Sequence, residues 1–181
     1  MSNNPNSNSN KMQIIVAFSL ILLLVVSRCT SHLWNFTAVG GIALFSAAYF
    51  SKKWMPFFII ASGMLVSDLI IGFHDQMLVV YGAYFLMIAV GFVFALTLKA
   101  SRIKRFSVLL AASILFFLIT NFAVWSAGVL YPLTAEGLKQ SYLMGLPFFR
   151  TQLLSDIVFG FALFEVALLP ATLTSAVRLK H

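Results

Sequence analysis

FFIIASGMLVSDLIIGF, residues 57–73, is an unbroken apolar run with one ionisable side chain, Asp68, set deep inside it. A helix needs about 17–25 apolar residues to cross a bilayer. Backbone polar groups in lipid must be satisfied within the segment, which excludes an extended span. A soluble helix would keep one face polar, and this one has none to show water. The surrounding chain reads the same way. Of its 181 residues 61% are hydrophobic and 9% charged, where a soluble domain carries about 25% charged residues. A chain of this size cannot bury so much apolar surface in its own interior. The expected fold class is all-α, a polytopic membrane protein with the lipid bilayer as its surroundings. One cysteine excludes a disulfide scaffold and a multi-cysteine metal site. The net charge of +7 reports loop topology and not a nucleic-acid partner.

Working outward from residues 57–73 gives six hydrophobic segments, the others being 12–27, 33–51, 77–98, 106–129 and 151–177. Residues 1–10, MSNNPNSNSN, read as a disordered polar tail, and residues 11–181 as one six-helix transmembrane domain. Pro170 should kink the last segment. Lys11, the apolar run and Cys29 also resemble a signal peptide, but Arg28 stands where a cleavage site wants a small residue. With a cytoplasmic N-terminus, Lys11, Lys52, Lys53, Lys99, Arg102, Lys104, Arg105, Arg178 and Lys180 fall inside, and Arg28, Lys139 and Arg150 outside. That bias places both termini in the cytoplasm. Trp34 and Trp54, at opposite ends of the second segment, suit interfacial anchors.

The stretch LVSDLIIGF at 65–73 has a counterpart, LLSDIVFGF at 153–161. In the six-span topology the two helices run in opposite directions, yet Asp68 and Asp156 share a depth of roughly 7–8 Å below the outer boundary. Gly72 and Gly160, one turn after each acid, would admit a close neighbour. Arg28, Asn35, Tyr81, Tyr84, Asn121, Trp125, Arg150 and Gln152 gather at the same level. Ionisable groups in a membrane face a bundle interior or a cavity, so these ten residues are the candidate ligand-binding set of an outward-opening pocket. The plain alternative is that Asp68 and Asp156 pair with Arg28 or Arg150 and only fix helix positions. Glu165 is nine residues beyond Asp156, on the opposite helix face, and has no assigned role. No metal site is expected, since His74 lacks a spaced partner, and no cofactor.

Residues 130–150 are long for a connection in a bundle. Thr134 can cap a short helix over 135–144, with Glu136 in its first turn and Pro147 ending it. That element would be a lid or an interfacial helix.

Four stretches, NFTAVGGIALFSAAYF, LVSDLIIGFH, FFLITNFAVWSAGVLYP and LPFFRTQLLSDIVFG, resemble a family of small bacterial inner-membrane proteins. That family is similar to the substrate-binding S-components of energy-coupling-factor (ECF) vitamin transporters. The resemblance covers about Arg28 to Gly160. It implies a six-helix bundle, a small-molecule ligand near the outer face and an energising transport module as partner. Helix one, IIVAFSLILLLVVS, carries no Ala-x-x-x-Ala, the pattern through which S-components usually dock. A solitary transporter or another docking face therefore stays open. The function expected is uptake of a vitamin- or metabolite-like molecule, not an enzyme activity. The alternatives are an intramembrane aspartyl hydrolase, in which Asp68 and Asp156 share a proton and activate water, and a non-catalytic membrane scaffold without a cavity.

Overall fold

The structure, a computed structural model, describes residues 5–30 and 35–178, with side chains described for 10–30 and 35–167. Among these residues it is all-helical: α1 (Pro5–Thr30), α2 (Val39–Tyr49), α3 (Met55–Ile71), α4 (Met77–Val93), α5 (Ala95–Ala100), α6 (Arg102–Ser126) and α7 (Ala135–Arg178). Three helices are long and apolar enough to cross a membrane: Asn10–Thr30 within α1, α6, and Ala135–Ala167 within α7. α3 and α4, at 17 residues each, stand at the lower limit of a spanning length.

α2 organises the bundle. Every residue from Val39 to Ala48 is buried, which suits a helix apolar on all sides. Its small residues let neighbours close in. A Cβ on Gly41 would meet the backbone nitrogen of Gly160 on α7 at 2.7 Å, and one on Gly91 of α4 would meet Ala47 at 2.6 Å. Around this rod α1 packs on α3, α4 on α2, and α6 on α7. The bundle's outer surface is oily: Ile103 is 81% exposed and Leu96 85%, and Phe18, Leu22, Leu69, Ile70 and Leu154 are exposed too. A water-facing surface rarely carries so many large apolar side chains, and this one suits a helical bundle that faces lipid.

Several boundaries differ from the sequence reading. α1 takes in Pro5 to Asn10, part of the stretch read as an unstructured tail. α2 is far shorter than 33–51, and Asn35, Phe36 and Thr37 lie in the non-helical approach to it. There Asn35 takes φ 61°, a left-handed conformation that asparagine tolerates better than most residues. The segment 77–98 breaks at Phe94 into α4 and α5, with no proline or glycine at the break. α6 begins at Arg102, where the Ser101 hydroxyl accepts from the Lys104 backbone N–H.

The largest correction concerns residues 130–150. Thr134 caps as expected, accepting from the Gly137 N–H at 3.2 Å. But Pro147 does not end the helix, and α7 runs unbroken through it from the expected lid into the expected last span. A proline inside a helix costs about 3 kcal/mol. α7 offsets this with a long seam against α6, stitched by Ser141 to the Asn121 carbonyl (2.8 Å) and by Tyr142 to the Leu118 carbonyl (3.0 Å). Trp34, the side chain of Pro170 and Lys180 lie outside the described residues. Trp54 is exposed.

Candidate ligand cavity

The C-terminal ends of α1, α3 and α6 meet the approach to α2 and the first turns of α4 and α7. The geometry there starts from Ser27, whose hydroxyl bonds the Leu24 carbonyl and accepts the Ala38 backbone N–H at 3.0 Å. This joins the end of α1 to the beginning of α2 and aims the next residue, Arg28, across at α3. Arg28 Nη2 donates to Asp68 Oδ1 at 2.6 Å and Nη1 reaches Met64 Sδ at 2.8 Å. The Tyr81 hydroxyl, from α4, donates to Asp68 Oδ2 at 2.7 Å. Asp68 is fully buried and ties three helices together.

Asp156 does the same for another three. Its Oδ2 accepts from Ser113 of α6 at 2.7 Å and from Gln152, one turn earlier on α7, at 3.4 Å. Its carboxylate fills the space where a Cβ on Gly40 of α2 would stand, so glycine is required there. Ser155 bonds the Gln152 carbonyl at 2.8 Å. Among the described residues no hydrogen bond joins the two carboxylates. Of their two following glycines, Gly160 packs against Leu109 as a close-approach position should. Gly72 instead has open space around it and ends α3 at φ 99°.

Between these two anchors lies a cavity of about 510 Å³, within the range of small-molecule sites. Five of the ten candidate residues face it: Arg28, Asn35, Tyr84, Asn121 and Gln152. Asp68, Asp156 and Tyr81 stand behind the wall. Each acid holds a wall residue from the rear, Asp68 gripping Arg28 and Asp156 gripping Gln152. For Asp68, the plain alternative of an ion pair with Arg28 is what the structure shows. Trp125 turns away from the cavity and donates to the Pro132 and Thr134 carbonyls, both at 3.1 Å. It pins the α6–α7 turn. Arg150 is exposed and outside the wall.

The sequence reading names Tyr84 but misses the phenylalanines of the wall. Phe116 stacks on Tyr84 with ring centroids 4.5 Å apart, and Phe117 on Phe149 at 4.7 Å. Phe117 stands one turn before Asn121, whose side-chain N–H bonds its carbonyl at 2.9 Å. Gly145, Phe149 and Gln152 share one face of α7, a pattern visible only once the helix is known to pass Pro147.

A second charged cluster joins the start of α6 to the far part of α7. Glu165 accepts from Arg102 at 2.8 and 3.1 Å and from Arg105 at 2.8 Å. Arg105 is buried, gives its Nε–H to the Leu98 carbonyl and lies over the Phe164 ring, 4.8 Å from its centroid. This cluster gives Glu165 its partner on another helix. It is about 24 Å along α6 from Asn121, and so belongs to the opposite end of the bundle from the cavity.

Neither a curated protein nor a solved structure matches the chain. A family model does match, over residues 8–176, and its description is Family of unknown function (DUF6580). Because the match takes in both anchoring acids, the cavity wall and the Glu165 cluster, the chain belongs to that family.

Proposed function

We propose that this protein is a multi-pass protein of the bacterial inner membrane that binds a small metabolite- or vitamin-like molecule in the cavity and carries it inward. The observation that carries the reading is the cavity itself. It joins a few hydrogen-bonding groups to an aromatic wall and is braced by buried acids that never reach its surface. A structural bundle has no use for such a hollow, since voids in a core reduce stability. In the six-span topology the cavity end faces outward and the Glu165 cluster, rich in arginine and lysine, faces the cytoplasm. The likeness to ECF S-components fits this arrangement, and an energising module would be the partner of the inner half. The hydrolase alternative needs two carboxylates sharing one proton, whereas here each carboxylate bonds other partners.

The test is ligand-induced thermal stabilisation of the purified protein across a metabolite panel, with Val124→Trp as the control. Val124 lines the cavity, and an indole there fills it without touching either acid. Hits for the wild type that vanish in a folded Val124→Trp protein support the reading. Hits that survive the substitution, or none from a broad panel, refute it.

A further inference from the structure

The cavity's charges and shape point to one class of ligand: we infer that it takes a monocarboxylate with an aromatic or otherwise apolar body, its carboxylate set against Arg28. This rests on the reading that the cavity binds a small molecule and goes on to say which kind. Among the described residues the wall contains a guanidinium and an imidazole, Arg28 and His74, and no carboxylate. Asp68 lies behind Arg28 with its second oxygen taken by Tyr81. The ion pair therefore stands as a dipole with its positive end toward the hollow.

The guanidinium also has capacity left. It carries five N–H donors. Asp68 takes one through Nη2, and Nη1 points at the thioether of Met64, itself a wall residue. A thioether is a weak acceptor, so among the described residues that donor has no strong partner. A ligand carboxylate entering beside Met64 would give it one, in the planar paired geometry that arginine favours. The side chain is only 11% exposed. An anion meeting it there is largely shielded from water, which strengthens the attraction.

The opposite wall sets the rest of the molecule. Phe116, Phe117 and Phe149 bring aromatic surface to the cavity, and Val124 and Met144 add aliphatic surface. Asn121 offers an amide on that side. A single guanidinium, already paired with Asp68 on one side, has donors left for one carboxylate and not for a more highly charged group. A phosphate monoester, nearer to two charges, would need further cations, and beyond Arg28 the described wall offers the His74 imidazole alone.

The experiment uses the full chain in lipid nanodiscs, with phenylacetate, cinnamate and indolepropionate as probes. Each is compared with its neutral amide and with an amine of the same skeleton. The expected order is carboxylate over amide by about tenfold or more in affinity, with no binding of the amine. In Arg28→Met combined with Asp68→Asn, which removes both charges together, carboxylate and amide should bind alike. If that variant does not fold, the wild-type order alone decides. Equal binding of carboxylate and amide, or preference for the amine, overturns the ligand class and leaves the cavity's binding role standing. Failure of these probes and of the whole metabolite panel overturns both.

Discussion

Removing Asp68's charge should rescue a protein that has lost Arg28. The two groups meet at 2.6 Å, with side chains 11% and 0% exposed. At an effective dielectric constant of ~20 their gross attraction is about 6 kcal/mol, most of it offset by the desolvation of both ions. Arg28→Met leaves a carboxylate with no exposure, the uncompensated buried charge that costs about 3–5 kcal/mol. Asp68→Asn is milder, at about 1.5–3 kcal/mol, because the single amide oxygen still accepts from Arg28 while the amide NH2 can donate to the Tyr81 hydroxyl. The double variant leaves no unpaired charge, so adding Asp68→Asn to Arg28→Met should raise stability by about 2 kcal/mol. Equilibrium unfolding in mixed detergent micelles measures all four corners of the cycle. Stabilities that add within about 0.5 kcal/mol, the behaviour of independent sites, would refute the pairing and with it the account of how Arg28 is aimed.

Two further outcomes follow from the same packing. Gly91→Leu drives a side chain into Ala47 and the α2 backbone. It should destabilise by about 1–3 kcal/mol or more, read as a lowered melting temperature, while the exposed Gly82→Leu one helix face away should be near neutral. Glu165→Gln strips the counter-charge from Arg102 and the buried Arg105. Glu165 is 38% exposed, so the loss is the smaller one of a partly solvated network, and it should shrink as salt is raised. Indifference to salt would mean the cluster acts through Arg105's packing alone.

How much of this was legible in the chain depends on which kind of information each feature needs. Helical membrane character is a property of composition, and 57–73 alone displays it. Thr134's cap is local chemistry, and it was readable. So was the gathering of polar groups at one end, because depth follows from counting along helices. Which way a side chain points around its helix is another matter. Asp68 and Asp156 are expected at the cavity because an ionisable group at that depth turns to a bundle interior or a hollow, and depth alone does not say which. Helix rotation, set for α7 by the packing of Gly160 on α2 and for α3 by that of Gly63 on Leu24 of α1, turns them to the rear of the wall. The passage of α7 through Pro147 was hidden for a related reason. Local propensity says stop, and only the seam with α6 outweighs it. Phe94, where α4 gives way to α5, carries no breaker that a sequence could show.

The meeting of Gly41 with Gly160 gives the longest helix a pivot. Gln152, in the cavity wall, is eight residues to one side of it, and Glu165 is five to the other. The lever arms are about 12 Å and 7.5 Å. A tilt of α7 about that point that shifts Gln152 by about 1 Å would swing Glu165 about 0.6 Å the opposite way, against Arg102 and Arg105. A shift at the cavity wall is thereby geared to the salt-bridged grip farther along the same helix, with no mobile loop needed between them.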